Sequence, residues 1–457
     1  GRKRAACLHI DAMAPIVRLS LSSLLLLPAD ASSLNLRRQS DAPSTSHNED
    51  YEVRLNNKHN VQYAGELTAG GQTLPVVYDT GSFEVLLLSS HCDLTCGVGH
   101  KVYDEHKSKT FKMDNGVKAY HRFGSGPTES TRGFDTLQIG EVGSPYIMAQ
   151  APFFQVWRHG IHPWRDSTFF SGIVGMAHPD IVPRNMRAPT TVKDKQLPGD
   201  PLLLTSLGIK SFAICLRRSA PDAPGMLAIG PKVESRKDEP AFISLPVVGK
   251  MHWGLKMTNV TAPGVDAEPL CNPSCGAIVD SGTSLIAVPP SAAKLVAALD
   301  KAVARDCSNL NSLPVLRLDF DSTVVELPPQ AYVLQIGSPP GGTDMQDFLA
   351  DSEVRRAVRE RCYSAFMTID KKSQFGDVWI LGMPFLRYFY TVFDRPAKKI
   401  HIARAGPDCE ILPKASTFAA AGGLMNSSAA AHLPAPLLGA GGGPQRVGLD
   451  GLLRPGW

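Results

Sequence analysis

Short runs of alternating apolar and polar residues cover most of the chain. They begin near Val53 and are separated by turns rich in glycine and proline, a pattern typical of β-strands with one buried face. Helical spacing of apolar residues is rare, and the clearest case follows Pro289-Pro290 and predicts a helix over Ser291–Val303. A chain of 457 residues is too long for one small core. The pattern therefore predicts a mostly β protein divided into two lobes.

The N-terminal segment has the pattern of a secretory signal peptide. Arg18 precedes the apolar run Leu19 to Leu27, and Ala29-Asp30-Ala31 supplies small residues for cleavage. The run is too short to span a bilayer, and no later apolar run is long enough to do so. We therefore expect a protein of the secretory pathway with no transmembrane segment.

Composition divides the chain into five parts. A polar stretch follows the apolar run, and the C-terminal end is rich in alanine, glycine and proline, which cannot bury enough apolar surface to fold. We predict a signal peptide over residues 1–31, a short pro-segment over 32–52, an N-terminal lobe over 53–232, a C-terminal lobe over 233–405 and a disordered tail over 406–457.

Charge and cysteine content narrow the possible partners. The net charge is +4 with scattered basic residues, so we expect no nucleic-acid partner. Among the nine cysteines, Cys92/Cys96 and Cys271/Cys275 form two close pairs. Four such thiols could hold zinc, but no histidine accompanies them at ligand spacing, and an oxidising compartment favours local disulfides. No phosphate-binding or dinucleotide motif is present, so we expect neither a metal nor a cofactor.

An internal repeat is the most informative feature of the sequence. The segment Val76–Ser82, with Asp79 at its centre, recurs as Ala277–Thr283 around Asp280. Each copy has three mostly apolar residues, then Asp, a hydroxyl residue, Gly and a second hydroxyl residue. A later apolar pair ends in glycine 96 residues after the first Asp (79 to 175) and 102 after the second (280 to 382). Two matching halves predict two copies of one substructure.

Two aspartates brought together in this way can perform acid–base chemistry. Carboxyl groups about 3 Å apart cannot both ionise, so one keeps a proton while the other stays charged. Asp79 and Asp280 are therefore the candidate catalytic pair and share one water. The glycines permit tight turns, and the flanking hydroxyls can brace the loops and hold the carboxyls. The supporting residues are Thr80, Gly81, Ser82, Ser281, Gly282 and Thr283.

From about Tyr63 to Ala403 the chain resembles the pepsin-like aspartic proteases. The resemblance rests on the two Asp motifs, on Trp379–Arg395 and on Phe170–Ala177. It implies two β-rich lobes, a cleft with one Asp from each lobe, and a β-hairpin flap from the N-terminal lobe. It also implies an acid endopeptidase that cuts extended polypeptides between apolar residues, binds pepstatin-type inhibitors and acts as a monomer, either secreted or in an acidic lumen.

The resemblance also places the flap. Its tip corresponds to Phe123, Gly124 and Ser125, and the family's flap tyrosine is replaced by Phe123. The tryptophan that usually hydrogen-bonds this tyrosine is replaced by Leu86, so both members of one hydrogen bond are missing together. Loss of both partners leaves no orphaned polar group. The further cleft residues that the resemblance implies are Trp253 and Ser284.

The same resemblance implies disulfides at Cys271–Cys275 and Cys307–Cys362. With the local pair Cys92–Cys96 these make three bridges, and Cys215 and Cys409 are candidates for a fourth.

Two other functions remain open at this point. A catalytically inactive relative could use the cleft to hold a partner, but this chain keeps both aspartates and all four flanking hydroxyls. A structural β-protein with chance motifs is the third alternative, which the matched repeat disfavours.

Overall fold

A computed structural model describes residues 49–161, 164, 168–177, 202–265, 268–321, 323–336 and 361–414. The predicted signal peptide, most of the pro-segment and the end of the tail lie outside these residues. Within them the protein is mostly β, which confirms the predicted fold class.

The strands of the first half are short, apart from three long ones near the middle. Their bounds are β1 Tyr51–Lys58, β2 Gln62–Ala69, β3 Gln72–Asp79, β4 Val85–Leu88, β5 Lys112–Phe123, β6 Gly126–Ile139, β7 Ile147–His159, β8 Gly172–Gly175, β9 Ser211–Leu216 and β10 Gly225–Ile229. Two short helices, α1 Leu203–Ser206 and α2 Pro231–Arg236, flank β9 and β10.

The second half repeats this alternation of strands and short helices. Its strands are β11 Ile243–Pro246, β12 Gly254–Met257, β13 Asn259–Thr261, β14 Cys275–Val279, β15 Ile286–Val288, β16 Leu316–Phe320, β17 Thr323–Leu327, β18 Val333–Ile336, β19 Arg361–Ser364, β20 Phe366–Thr368, β21 Lys372–Ser373, β22 Gly376–Leu381, β23 Phe389–Asp394 and β24 Lys399–Arg404. Its helices are α3 Ala293–Ala302, α4 Pro329–Tyr332 and α5 Met383–Leu386.

The sequence repeat corresponds to a repeated strand arrangement. In the first half β3 lies parallel to β8, with Asp79 opposite Gly175, and β8 is antiparallel to β4. In the second half β14 lies parallel to β22, with Val279 opposite Leu381, and β22 is antiparallel to β15. Each arrangement places one aspartate at the C-terminal end of an apolar strand, Asp79 at the end of β3 and Asp280 directly after β14.

One thirteen-stranded sheet contains strands from both halves. Its order is β11-β24-β23-β9-β10-β1-β2-β3-β8-β4-β7-β6-β5. On its adjacent strands β9 and β23 the rings of Phe212 and Phe393 stack with centroids 4.8 Å apart, and the ring of Trp253 meets Phe393 edge-on at 5.1 Å. All three side chains are fully buried, so this aromatic cluster stabilises the sheet through apolar burial.

Several element predictions can be compared with the structure. The predicted helix is confirmed, since α3 follows a short 3₁₀ turn at Pro290–Ala292. The predicted tail boundary at Gly406 is too early. The amide of Gly406 donates to the carbonyl of Glu410 at 2.8 Å, and the amide of Leu412 donates to Arg404 at 2.9 Å. The glycine- and proline-rich insertion predicted around Ile336–Asp351 lies almost wholly outside the described residues.

Candidate active site

Asp79 and Asp280 meet at the floor of a cavity. Asp79 is the last residue of β3, and Asp280 follows β14 directly. Both are largely buried, with 8% and 7% of their surface exposed. In each loop the amide of the glycine two residues later donates to the carboxyl oxygen Oδ1 at 2.8 Å, Gly81 to Asp79 and Gly282 to Asp280. The two carboxyls are thus held by the same local turn.

The two loops are cross-braced by their hydroxyl residues. Thr80 Oγ1 donates to the carbonyl of Val279 at 2.9 Å and accepts from the amide of Ser281 at 2.9 Å. Ser281 Oγ donates to the carbonyl of Tyr78 at 2.5 Å and accepts from the amide of Thr80 at 3.0 Å. Four hydrogen bonds therefore tie the loops together, although the residues lie about two hundred positions apart in sequence.

Glycine is required at both turns because each loop approaches the opposite carboxyl closely. A Cβ atom added to Gly81 would lie 2.7 Å from the carboxyl carbon of Asp280. A Cβ atom on Gly282 would lie closer still to Asp79. Any side chain at either position would push the aspartates apart. The repeated Asp-hydroxyl-Gly pattern is therefore a requirement of packing across the pair as well as of the turn.

The outer hydroxyls differ between the two halves. Thr283 Oγ1 donates to Asp280 Oδ2 at 2.6 Å, as the sequence led us to expect. Ser82 occupies the equivalent position beside Asp79, and its hydroxyl is near enough to lower the pKa of that carboxyl. However, Ser82 Oγ makes no hydrogen bond of normal length and angle within the described part of the chain. The expected outer hydrogen bond is thus formed on one side only.

The electrostatics of the site favour a proton on Asp79. Burial raises the pKa of Asp79 well above its usual range, and the neighbouring Asp280 carboxyl raises it further. The Ser82 hydroxyl and the Gly81 amide oppose this shift. Because the two carboxyls interact strongly, they titrate as a pair rather than as separate groups.

The cavity above the aspartates is mostly apolar and is covered by a β-hairpin. It has a volume of about 130 Å³, and its lining includes Val77, Phe83, Leu86, Phe170 and Ile173. Strands β5 and β6 form the hairpin, with Phe123 opposite Gly126 at its turn. The predicted flap residues Phe123, Gly124 and Ser125 all line the cavity, as does Ser284, whose hydroxyl donates to the carbonyl of Val61.

Trp253 does not lie where the resemblance implied. Its side chain is fully buried, and its indole nitrogen donates to the carbonyl of Met176 at 3.0 Å. It packs into the aromatic cluster of the large sheet and does not line the cavity, so its assignment to the cleft is wrong. The adjacent His252 packs against Phe83 with ring centroids 5.1 Å apart, and burial lowers the pKa of its imidazole.

The sequence analysis missed Arg122 and an interacting pair of ionisable residues in the lining of the cavity. Glu84 and His121 both line it, and His121 Nε2 lies 2.6 Å from Glu84 Oε2. Each residue lies two positions before a residue that the resemblance had singled out, Leu86 and Phe123. Since side chains two positions apart share a face of an extended strand, this offset was the available signal.

The cysteines outside the N-terminal segment form four disulfides in the structure. They join Cys92 to Cys96, Cys215 to Cys409, Cys271 to Cys275 and Cys307 to Cys362. These four bridges include the candidate fourth pair. The bridge from Cys215 connects β9 to the segment that follows β24.

One group of side chains in the described ranges offers three ligand atoms to a metal ion. Atoms of His91, Glu105 and His106 lie within 4.8 Å of one another. His91 and Glu105 already form an ion pair at 3.4 Å, and Gln155 donates to the other Glu105 oxygen at 2.9 Å. None of these residues lines the cavity at the aspartates, so the acid–base chemistry does not draw on them.

Comparison with known proteins establishes the family. A family model described as eukaryotic aspartyl protease matches residues 62–405. Cathepsin D of Chionodraco hamatus is 29% identical over 368 residues, covering 77% of this chain and 83% of that protein. Pepsin A of Bos taurus is 26% identical over 369 residues, covering 77% and 86%, and chymosin of Callithrix jacchus is 26% identical over 388 residues, covering 81% and 88%. The chain belongs to the eukaryotic aspartyl protease family.

This membership confirms the predicted resemblance and the predicted reaction. The chain is an aspartic endopeptidase that acts on polypeptides. No helix within the described ranges is both long and apolar enough to pass through a membrane.

Proposed function

We propose that Asp79 and Asp280 are the catalytic pair and that they activate one shared water. Both carboxyls are buried, each is fixed by a glycine amide, and the loops are braced by Thr80 and Ser281. This braced pair of carboxyls is the observation that carries the proposal.

The single proton shared by the two carboxyls supports hydrolysis by general acid–base catalysis. In the resting pair the proton lies on Asp79, whose pKa is raised by burial and by the neighbouring Asp280 carboxyl, and Asp280 acts as the base. Asp280 takes a proton from the water as the water oxygen bonds to the peptide carbonyl carbon, while Asp79 gives its proton to the carbonyl oxygen. The resulting diol then collapses as the C–N bond breaks: Asp280 gives its proton to the leaving nitrogen, and one diol hydroxyl returns its proton to Asp79 as the carboxylic acid product forms. The pair ends with one proton, as it began.

The decisive experiment replaces each carboxyl by its amide. Asp79→Asn and Asp280→Asn should each lower kcat for a peptide substrate by about 100-fold or more, because an amide can neither take nor give the proton. Asp222→Asn is the matched control, since Asp222 is exposed and does not line the cavity. Normal circular dichroism of the two inactive variants would show that folding is intact. Appreciable turnover by either variant would remove that residue from the pair.

The cavity supports a preference for apolar side chains beside the cleaved bond. Its walls at the aspartates are built largely from aromatic and branched aliphatic residues. We expect pepstatin-type inhibitors to occupy it and to compete with substrate. Digestion of a peptide library by the mature enzyme over a range of acid pH, with and without pepstatin, tests both expectations together.

The four disulfides support maturation in an oxidising compartment. We propose that the enzyme passes through the secretory pathway and works as a monomer, either outside the cell or in an acidic lumen. Sedimentation of the purified enzyme tests the monomer. A reporter fused behind residues 1–31 and assayed for secretion tests the signal peptide.

A further inference from the structure

Glu84 and His121 form a buried ion pair between the hairpin and the body of the protein. Glu84 belongs to the loop that follows Asp79, whereas His121 lies near the tip end of β5. The contact is 2.6 Å, and only 14% of the Glu84 side chain and 6% of the His121 side chain are exposed. A hydrogen bond between a carboxylate and an imidazolium at this length is charge-assisted and stronger than a neutral one.

This pair joins β5 to the body of the protein through a side-chain hydrogen bond. Strand β5 lies at the edge of the large sheet, and among the described residues β6 is its one strand partner. Among the described residues, the Glu84–His121 contact is the side-chain hydrogen bond that joins β5 to residues outside the hairpin. The hairpin tip beyond it, at Phe123, Gly124 and Ser125, covers the cavity.

The surroundings of His121 leave it dependent on Glu84. The edge of its ring meets Phe154 with centroids 4.7 Å apart, which fixes the ring plane. Its second nitrogen, Nδ1, is buried and has no hydrogen-bond partner within the described part of the chain. Removal of Glu84 would therefore leave an imidazole buried with no partner at all, which is costly.

The equivalent apolar pair cannot supply this tie. Phe123 and Leu86 lie two residues after His121 and Glu84 and carry no polar group. No side-chain hydrogen bond can therefore join Phe123 to Leu86 at the tip of the hairpin. The Glu84–His121 hydrogen bond lies two residues closer to its base.

We propose that Glu84 and His121 are positioning residues that hold the hairpin over Asp79 and Asp280 when substrate binds. This inference rests on the proposed catalytic pair. This contact, the Glu84–His121 latch, acts on closure of the hairpin. It takes no part in the proton transfers, which Asp79 and Asp280 carry out. The other titratable groups lining the cavity are Asp79, Asp280 and Arg122, and Arg122 is exposed.

The test uses Glu84→Gln, His121→Gln and the double variant in the full chain. With a peptide substrate at acid pH, each single variant should raise KM about tenfold or more, the effect of losing a hydrogen bond between charged groups, with a smaller change in kcat. The double variant should be no worse than the singles. His91→Gln and Glu105→Gln are controls, because they break a histidine–carboxylate pair that is longer, more exposed and outside the cavity.

Two results would overturn the latch. These are a fall in kcat with KM unchanged, or additive effects of the two substitutions. If the variants fold poorly, hydrogen exchange in wild type decides, because the amides of β5 near His121 should exchange more slowly once a pepstatin-type inhibitor fills the cavity and the latch holds the hairpin closed. Unchanged protection would count against the latch. Failure of wild-type enzyme to cleave any peptide would instead remove the proposed function.

Discussion

Thr80 and Ser281 exchange hydrogen bonds across the active site, each accepting from the other's backbone amide at 3.0 Å or less. Each hydroxyl also donates to a carbonyl of the opposite strand end. Every polar group in this brace is buried and satisfied by another member of it. Precision at the carboxyls therefore depends on a structure that no single half of the chain can form.

Replacement of Thr80 by valine should weaken both folding and catalysis. Thr80→Val keeps the side-chain volume but leaves the Ser281 amide and the Val279 carbonyl buried without this partner. Each orphaned group costs about 1–3 kcal/mol, so the free energy of unfolding in urea should fall by an amount in this range or above it. The same variant should lower kcat/KM, since the loops carry the carboxyls.

Thr323→Val is the control for that experiment. Thr323 begins β17, makes no side-chain hydrogen bond within the described ranges and suits valine by its place in a strand. An equal loss of stability in both variants would show that the hydrogen bonds of Thr80 add nothing to the free energy of unfolding.

The raised pKa of Asp79 predicts a stability that falls as the pH rises. The native state binds the proton of Asp79 more tightly than the unfolded chain, in which an aspartate has a pKa of about 3.9. This contribution is fully present below that value and is lost as the pH rises through the higher native pKa. Asp79→Asn should therefore gain stability relative to wild type as the pH rises from about 3 to 7, measured by chemical denaturation. Identical pH dependence in wild type and variant would contradict the assignment.

The activity of the enzyme should also fall as the pH rises and the carboxyl pair loses its shared proton. Because Asp79 must give a proton to the carbonyl oxygen, kcat/KM should have its maximum on the acid side of neutrality and decline as the pair loses that proton. A pH–rate profile of a single peptide tests this. A rate still climbing above about pH 8 would be incompatible with a carboxyl pair.

Phe123 and Leu86 should show coupled effects when the usual polar pair is restored. Both line the cavity, and both belong to one apolar cluster. Phe123→Tyr alone gains nothing and costs about 1–3 kcal/mol if its hydroxyl is buried without a partner. Leu86→Trp alone overpacks a fully buried position, at a cost of about 1–3 kcal/mol in stability.

The double variant supplies the hydroxyl and the indole together. The two substitutions should couple by about 0.5 kcal/mol or more in a double-mutant cycle on kcat/KM. Additive effects would mean that the two side chains do not meet. Phe123→Tyr with Leu86→Ile serves as control, because isoleucine offers no donor.

The disulfide from Cys215 to Cys409 should stabilise the protein more than the bridge from Cys92 to Cys96. The first closes a separation of 194 residues and the second a separation of 4. Constraint of the unfolded chain increases with loop length, so paired replacement of Cys215 and Cys409 by alanine should cost about 2–5 kcal/mol, and replacement of the short pair less. Non-reducing peptide mapping of wild type checks the pairing, and recovery of Cys215 as a free thiol would exclude it.

Features that are repeated within the chain could be predicted from the sequence. Contacts that form once, between residues distant in sequence, could not. The loops of Asp79 and Asp280 are matched in sequence, and so their pairing was visible. Trp253 was misplaced because its burial depends on Phe393, which arrives from a distant strand. Similarly, Glu84 and His121 are unremarkable polar residues in their own segments, and their contact exists only because the hairpin folds over the loop.

The thirteen-stranded sheet has a consequence for synthesis of the enzyme. Strand β9 is bordered by β10 on one side and by β23 on the other, with Phe212 opposite Phe393. A ribosome finishes β9 long before it makes β23, so a nascent chain carries an open edge at β9 until β23 has emerged. Such late, distant pairing is slow and leaves strands exposed to wrong partners.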